Sequence, residues 1–201
     1  MSNDTEKLER KLRDIITPPA YPPLASYNYF LFSKDVEPNS VNEAITFILE
    51  RNLAKQRPET IRLVINSQGG ELQSGFALID VMEASRIPIW TYGIGSLCSA
   101  ALTIFITGDK GNRYITKNTS ILSHQFSWAS YGKEHELIAS VKEIDLTQKR
   151  LMEHYKKHTK MAEANIRKLL LPPEDVWLSA EDAVKFKLAD KIMNGNFELD
   201  K

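Results

Sequence analysis

At 201 residues with 42% apolar composition, the chain is long enough for one domain with a sizeable core. Its 26 basic residues balance its 26 acidic ones, so no global field favours nucleic acid or an acidic substrate. The lone cysteine, Cys98, excludes an internal disulfide and suits a reducing compartment.

No apolar run approaches the roughly 18–20 residues that span a bilayer, so no membrane association is expected. The N-terminus is charged from Asp4 to Asp14 and lacks the apolar stretch of a signal peptide, which makes the cytoplasm the expected location. Residues 4–16 carry Leu8, Leu12, Ile15 and Ile16 on one helical face. Four prolines between Pro18 and Pro23 end that helix. Residues 1–25 therefore read as an arm and residues 26–201 as the main domain.

After the arm, strand-like and helix-like segments alternate. Residues 27–32 read as a strand and 39–54 as a helix opened by Asn39 or Ser40. Strands at 61–65 and 87–92 flank a helix at 72–84, and an apolar helix follows at 99–107. This order predicts an α/β fold with largely parallel strands and right-handed crossovers. From Lys133 to Lys160 a long helix carries Leu137, Val141, Ile144, Leu151 and Tyr155 near one stripe. It would run roughly 40 Å, longer than a small core needs. Such a stripe either meets a partner or packs across its own domain.

Three segments offer chemistry. Asn66-Ser67-Gln68-Gly69-Gly70 joins a strand to a helix, and its paired glycines can turn amides toward an oxyanion. The same pattern also serves as a plain tight turn. Gly95-Ser96-Leu97-Cys98-Ser99-Ala100 hands a strand over to the apolar helix, placing a serine at the positive end of a helix dipole. A serine there is also an ordinary N-cap. A nucleophilic serine needs a base, and His124 ends the apolar run Ile121-Leu122-Ser123. His135, His154 and His158 fall in the charged long helix, where solvent exposure is the natural reading. His154 and His158 stand four apart, but no His-Glu-x-x-His pattern accompanies them, so no metal is expected. Asp175 is one of several acids able to orient the base, and spacing alone does not promote it. Asp182, in Ser179-Ala180-Glu181-Asp182, belongs to a capping box.

Together these segments resemble the Clp protease proteolytic subunit (ClpP) family over roughly residues 27–193. The Asn66–Gly70 turn is similar to its Asn-Ser-Pro-Gly-Gly, Gly95-x-x-x-Ser99 to its nucleophile segment, and His124-Gln125 to its base motif. Asp175-Val176-Trp177-Leu178-Ser179 is similar to its third triad segment. The resemblance implies a ClpP/crotonase-like α/β core with a protruding handle helix, and a serine endopeptidase. Its triad would be Ser99, His124 and Asp175, its oxyanion hole the amides of Gly70 and Ala100, and it would need no cofactor. It implies two stacked heptameric rings joined through the handle, with a glycine-containing strand near Gly132 pairing across them and bordering the substrate groove. It also implies peptide or unfolded-protein substrates and a Clp-type AAA+ unfoldase as partner. No Walker-type segment is present, so ATP-driven unfolding would come from a separate protein.

Four departures accompany the resemblance. Gln68 replaces a proline, Leu97-Cys98 replaces two small residues, and Glu174 stands where many members carry arginine. Arg62 and Val64 occupy positions that are aromatic in the family's unfoldase-docking cleft. Two other readings remain open: a catalytically silent ring scaffold of the same fold, and an acyl-CoA-processing crotonase relative, whose enolate chemistry needs no serine nucleophile.

Overall fold

The computed structural model describes residues 23–195. The helix expected at 4–16 and nearly all of the 1–25 arm lie outside the described residues.

The chain enters through a 3-10 turn, Leu24–Tyr27, and strand β1 at Tyr29–Phe32. The strand expected from residue 27 starts late because Asn28 adopts a left-handed conformation that closes the turn. Helix α1, Pro38–Leu53, begins one residue before its expected start. Pro38 supplies a preset φ in the first turn, and Glu37, rather than Asn39 or Ser40, is the cap. Ser40 answers from the third helical position, accepting from the Glu37 amide at 3.2 Å.

Strand β2 is Ile61–Ser67, helix α2 is Leu72–Ala84 and strand β3 is Ile89–Cys98. The expected strand at 87–92 runs on because β3 serves two partners. Its first half pairs with β4 (Arg113–Ile115), and its second half pairs with β5 (Ser120–Ser123). The β2–β3 register shifts between Ile65 and Ser67, where the sheet bends. All these pairings are parallel, as is β4 with β7 (Lys191–Ile192). Among the described strands, only β6 (Val176–Leu178) runs antiparallel, against β5.

Helix α3, Ala100–Ile106, is buried at every residue and forms the centre of the core; its sequence is apolar except for Thr103, whose hydroxyl donates to the Ala100 carbonyl at 2.7 Å. Helices α1 and α2 pack against each other, and α2 packs on α3. On the other face of the sheet Tyr92 stacks on Tyr114, with ring centroids 4.9 Å apart. Arg62 lies on this face, 2% exposed, its guanidinium 5.2 Å from the ring centroids of both Tyr29 and Trp90. Arg113 clamps Asp190 with Nε and Nη2 at 2.9 and 2.8 Å, tying β4 to the turn before β7.

The long helix α4 spans Glu134–Thr159, followed by α5 (Glu163–Leu169) and α6 (Ala180–Lys185). Its apolar stripe divides. Leu151 and Tyr155 enter the core, whereas Leu137, Ile138, Val141 and Leu146 are exposed. No strand forms in the stretch around Gly132; residues 124–133 are irregular. The expected exposure of the helix histidines holds only for His135. His154 is 7% exposed, with Nε2 2.9 Å from the Thr103 carbonyl, and His158 is half-buried. The reason is position: both lie on the half of α4 that lies over α3 and α2. Ser179 and Asp182 form the expected capping box, each amide donating to the other's side chain.

Candidate active site

The second half of β3 builds the site. Ser96, Leu97 and Cys98 pair with Ser120, Ile121 and Leu122, so β3 and β5 end side by side. One residue beyond β3, the Ser99 amide donates to the Leu122 carbonyl at 2.9 Å. One residue beyond β5 comes His124. Antiparallel pairing of Ser123 with Val176 then brings Asp175 opposite His124. The loop before Asp175 is fastened to β5 from both sides. Ser123 Oγ donates to the Leu170 carbonyl at 2.5 Å, and Gln125 Nε2 donates to the Leu171 carbonyl at 3.1 Å.

Ser99 has φ 54 and ψ −124, whereas Asn28 and Lys160, also at positive φ, sit in ordinary left-handed caps. Such a conformation costs about 1–3 kcal/mol and persists only where its surroundings impose it. Here a strand ends and α3 begins within one residue. Ser99 caps α3 without a side-chain cap bond, so the ordinary N-cap role is not what its hydroxyl performs. The serine, His124, Gly70 and Ala100 all line one cavity of about 470 Å³, whose walls include Phe126, Trp128 and Leu151.

His124 Nδ1 stands 3.7 Å from Asp175 Oδ1, an ion-pair distance longer than a hydrogen bond. Asp175 is 62% exposed.

The Gly70 backbone bridges Val36. The Val36 amide donates to the Gly69 carbonyl and the Glu71 amide to the Val36 carbonyl, both at 2.7 Å. This leaves the Gly70 amide outside the ladder. Ala100 is the first residue of α3, where an amide has no intrahelical acceptor. Both therefore have the character of oxyanion donors.

Ser96 and Cys98, the neighbouring hydroxyl and thiol, are differently placed. Ser96 lies within β3, its amide donating to Asn66 Oδ1 and its hydroxyl accepting from Gln68 Nε2, each at 3.0 Å. Cys98 is 2% exposed, and burial pushes its thiol up, opposing the thiolate it would need.

Sequence reasoning missed this brace. Asn66 and Gln68 hold the strand that delivers Ser99, and Gly69 packs directly beneath it. The signal was present in Gln68, which departs from the family's proline and supplies a donor in its place.

The family model described as Clp protease matches residues 21–196. The ATP-dependent Clp protease proteolytic subunit of Deinococcus radiodurans is 32% identical over 161 residues, covering 79% of this chain and 76% of that protein. The same subunit from Paracoccus denitrificans is 31% identical over 147 residues, 73% of each chain. A solved ClpP1 variant from Listeria monocytogenes superposes with a TM-score of 0.75 at 22% identity, covering 86% of this chain and 94% of that one. That likeness establishes the fold: a ClpP-like α/β core carrying a long helix.

Proposed function

The chain belongs to the Clp protease family, and from that premise we propose that it is a serine endopeptidase whose triad is Ser99, His124 and Asp175. One observation carries the proposal. Ser99, the one serine at positive φ among the described residues, stands in a strand-to-helix turn and shares a cavity with His124 and with two amides suited to an oxyanion.

In this reading Ser99 Oγ attacks a peptide carbonyl while His124 Nε2 takes the hydroxyl proton. Asp175 orients the imidazole through Nδ1 and stabilises its positive charge. The tetrahedral oxyanion accepts from the Gly70 and Ala100 amides. Collapse expels the amine, which leaves with the proton held by His124, and water then hydrolyses the acyl-enzyme by the same route. The Phe126, Trp128 and Leu151 walls favour an apolar side chain beside the scissile bond.

The exposed apolar half of α4 supports assembly of copies into stacked rings, with the sites enclosed. Both bacterial relatives are named as parts of an ATP-dependent protease. With no nucleotide-binding motif of its own, this chain would rely on a separate AAA+ unfoldase for folded substrates. A single buried cysteine fits a cytoplasmic protein.

The test is labelling with a fluorophosphonate probe, followed by peptide mapping and fluorogenic-peptide hydrolysis. The adduct is expected on Ser99, with labelling and several orders of magnitude in rate both lost in Ser99→Ala. An intact assembly that takes no label would favour the silent scaffold. A label on Ser96 would refute the nucleophile assignment.

A further inference from the structure

Away from the active site, α4 crosses α2 at a point where three metal-ligating side chains converge. Glu83 comes from the last turn of α2, and His154 and His158 lie one turn apart on α4. One ligand atom from each lies within 4.8 Å of the other two. We propose that Glu83, His154 and His158 form a binding site for a divalent transition-metal ion of the zinc class, which clamps the base of α4 to α2.

The donor set is the first argument. Two imidazoles and one carboxylate, with water in the fourth position, make up a common zinc coordination sphere. Tetrahedral zinc with bonds near 2.1 Å sets its ligand atoms about 3.4 Å apart. Contraction from 4.8 Å falls to the Glu83 and His158 side chains, which already meet across the two helices at 3.1 Å. The imidazole rings are already close, with centroids 4.6 Å apart.

The second argument is the surroundings of His154. Its Nε2 lies 2.9 Å from the Thr103 carbonyl, which can only accept, so the Nε2–H form is the one held. Nδ1 is left with the free lone pair. Metal-bound histidines are oriented by this same arrangement, a backbone carbonyl gripping the nitrogen that faces away from the ion. A histidine 7% exposed that served only to fill space would be replaceable by an apolar ring without the cost of a buried polar group.

Glu83 already has two partners on α4. Its Oε1 accepts from Lys157 Nζ at 2.7 Å and lies 3.1 Å from His158 Nε2. Lys157 is the competitor for the site, and its side chain is 56% exposed and free to swing into water when a cation takes its place. An adjoining open cavity of about 690 Å³, whose charged walls are Asp80, Glu83, Glu153, Arg150 and Lys157, provides an approach from solvent. The ion would lie apart from the Ser99 cavity and would stiffen α4 at the end opposite its exposed apolar half.

Co²⁺ and Zn²⁺ titrations of the full chain test the site, read by the visible d–d absorption of Co²⁺ and by the unfolding temperature with Zn²⁺. One Co²⁺ per chain is expected, with a thermal shift on adding Zn²⁺. His158→Gln and Glu83→Gln should each weaken binding by at least about tenfold and abolish the shift, with His135→Gln leaving both unchanged. Lys157→Met, which removes the competing ammonium, should tighten binding. No saturable binding, or binding that survives both the His158 and Glu83 substitutions, overturns the site. Loss of binding in His124→Ala alone would also overturn it, by placing the ion at the triad.

Discussion

A methyl group added at Gly69 probes how tightly the Ser99 turn is held. Gly69 has φ +93, and a Cβ there would lie 2.5 Å from the Cys98 carbonyl oxygen and 2.8 Å from Ser99 Cβ. Carbon atoms rest at about 3.5–4.0 Å, so the turn must retreat by roughly 0.7–1 Å. The two partners are backbone and a Cβ, neither of which can rotate out of the way. Strain at positive φ and overpacking each cost about 1–3 kcal/mol. A displacement near 1 Å at a reacting atom costs on the order of 100-fold in rate. Gly69→Ala should therefore lower kcat for a fluorogenic peptide by about 100-fold and destabilise the fold by about 2–6 kcal/mol in urea unfolding. Gly111 provides the matched control. Its φ is +92, but nothing lies within 4 Å of its would-be Cβ. Gly111→Ala should show the backbone strain alone, with kcat unchanged. Wild-type kcat in Gly69→Ala, or an equal loss in Gly111→Ala, would refute the reasoning.

Asp190 provides a pH-dependent prediction. Burial works to raise its carboxyl, but the hydrogen bonds and charge of Arg113 hold it below the ordinary aspartate range. Stability from this pair is complete above the unfolded value near 3.9 and is lost as pH falls through the lower folded value. Asp190→Asn should cost about 3–5 kcal/mol at neutral pH, by leaving Arg113 buried without its counter-charge. It should also lose less on acidification than the wild type does, as urea curves across pH would record; equal acid slopes would count against it. Val141→Glu, at a position 57% exposed, should leave the far-ultraviolet circular dichroism unchanged while shrinking the sedimenting particle; an unchanged particle size rules out this half of α4 as the assembly surface. Arg62 lies between Tyr29 and Trp90 where the family's docking cleft is aromatic, so a generic Clp unfoldase should deliver a folded, tagged substrate poorly. Arg62→Tyr with Val64→Tyr should improve ATP-dependent degradation, and robust degradation by the wild type without such improvement contradicts the idea.

The local elements were legible in the sequence wherever local physics sets them. The α2 boundaries follow from an uninterrupted amphipathic period, and the Ser179–Asp182 box caps α6 through contacts three residues apart. Parallel strands followed from the alternation of segments, and the order of Ser99, His124 and Asp175 from four short motifs. The meeting of those residues, however, depends on partners distant in the chain. β3 runs to Cys98 because β5 pairs with its second half, and that pairing carries His124 to the Ser99 turn. The division of α4 has the same cause. Leu137 and Tyr155 have equivalent places in the helical pattern, yet only Tyr155 lies over the core. His154 and His158, charged by neighbourhood in the sequence, are drawn inward because α3 offers a carbonyl and α2 a carboxylate at that crossing. Periodicity reports which side of a helix is apolar; what lies against that side is settled only by tertiary packing.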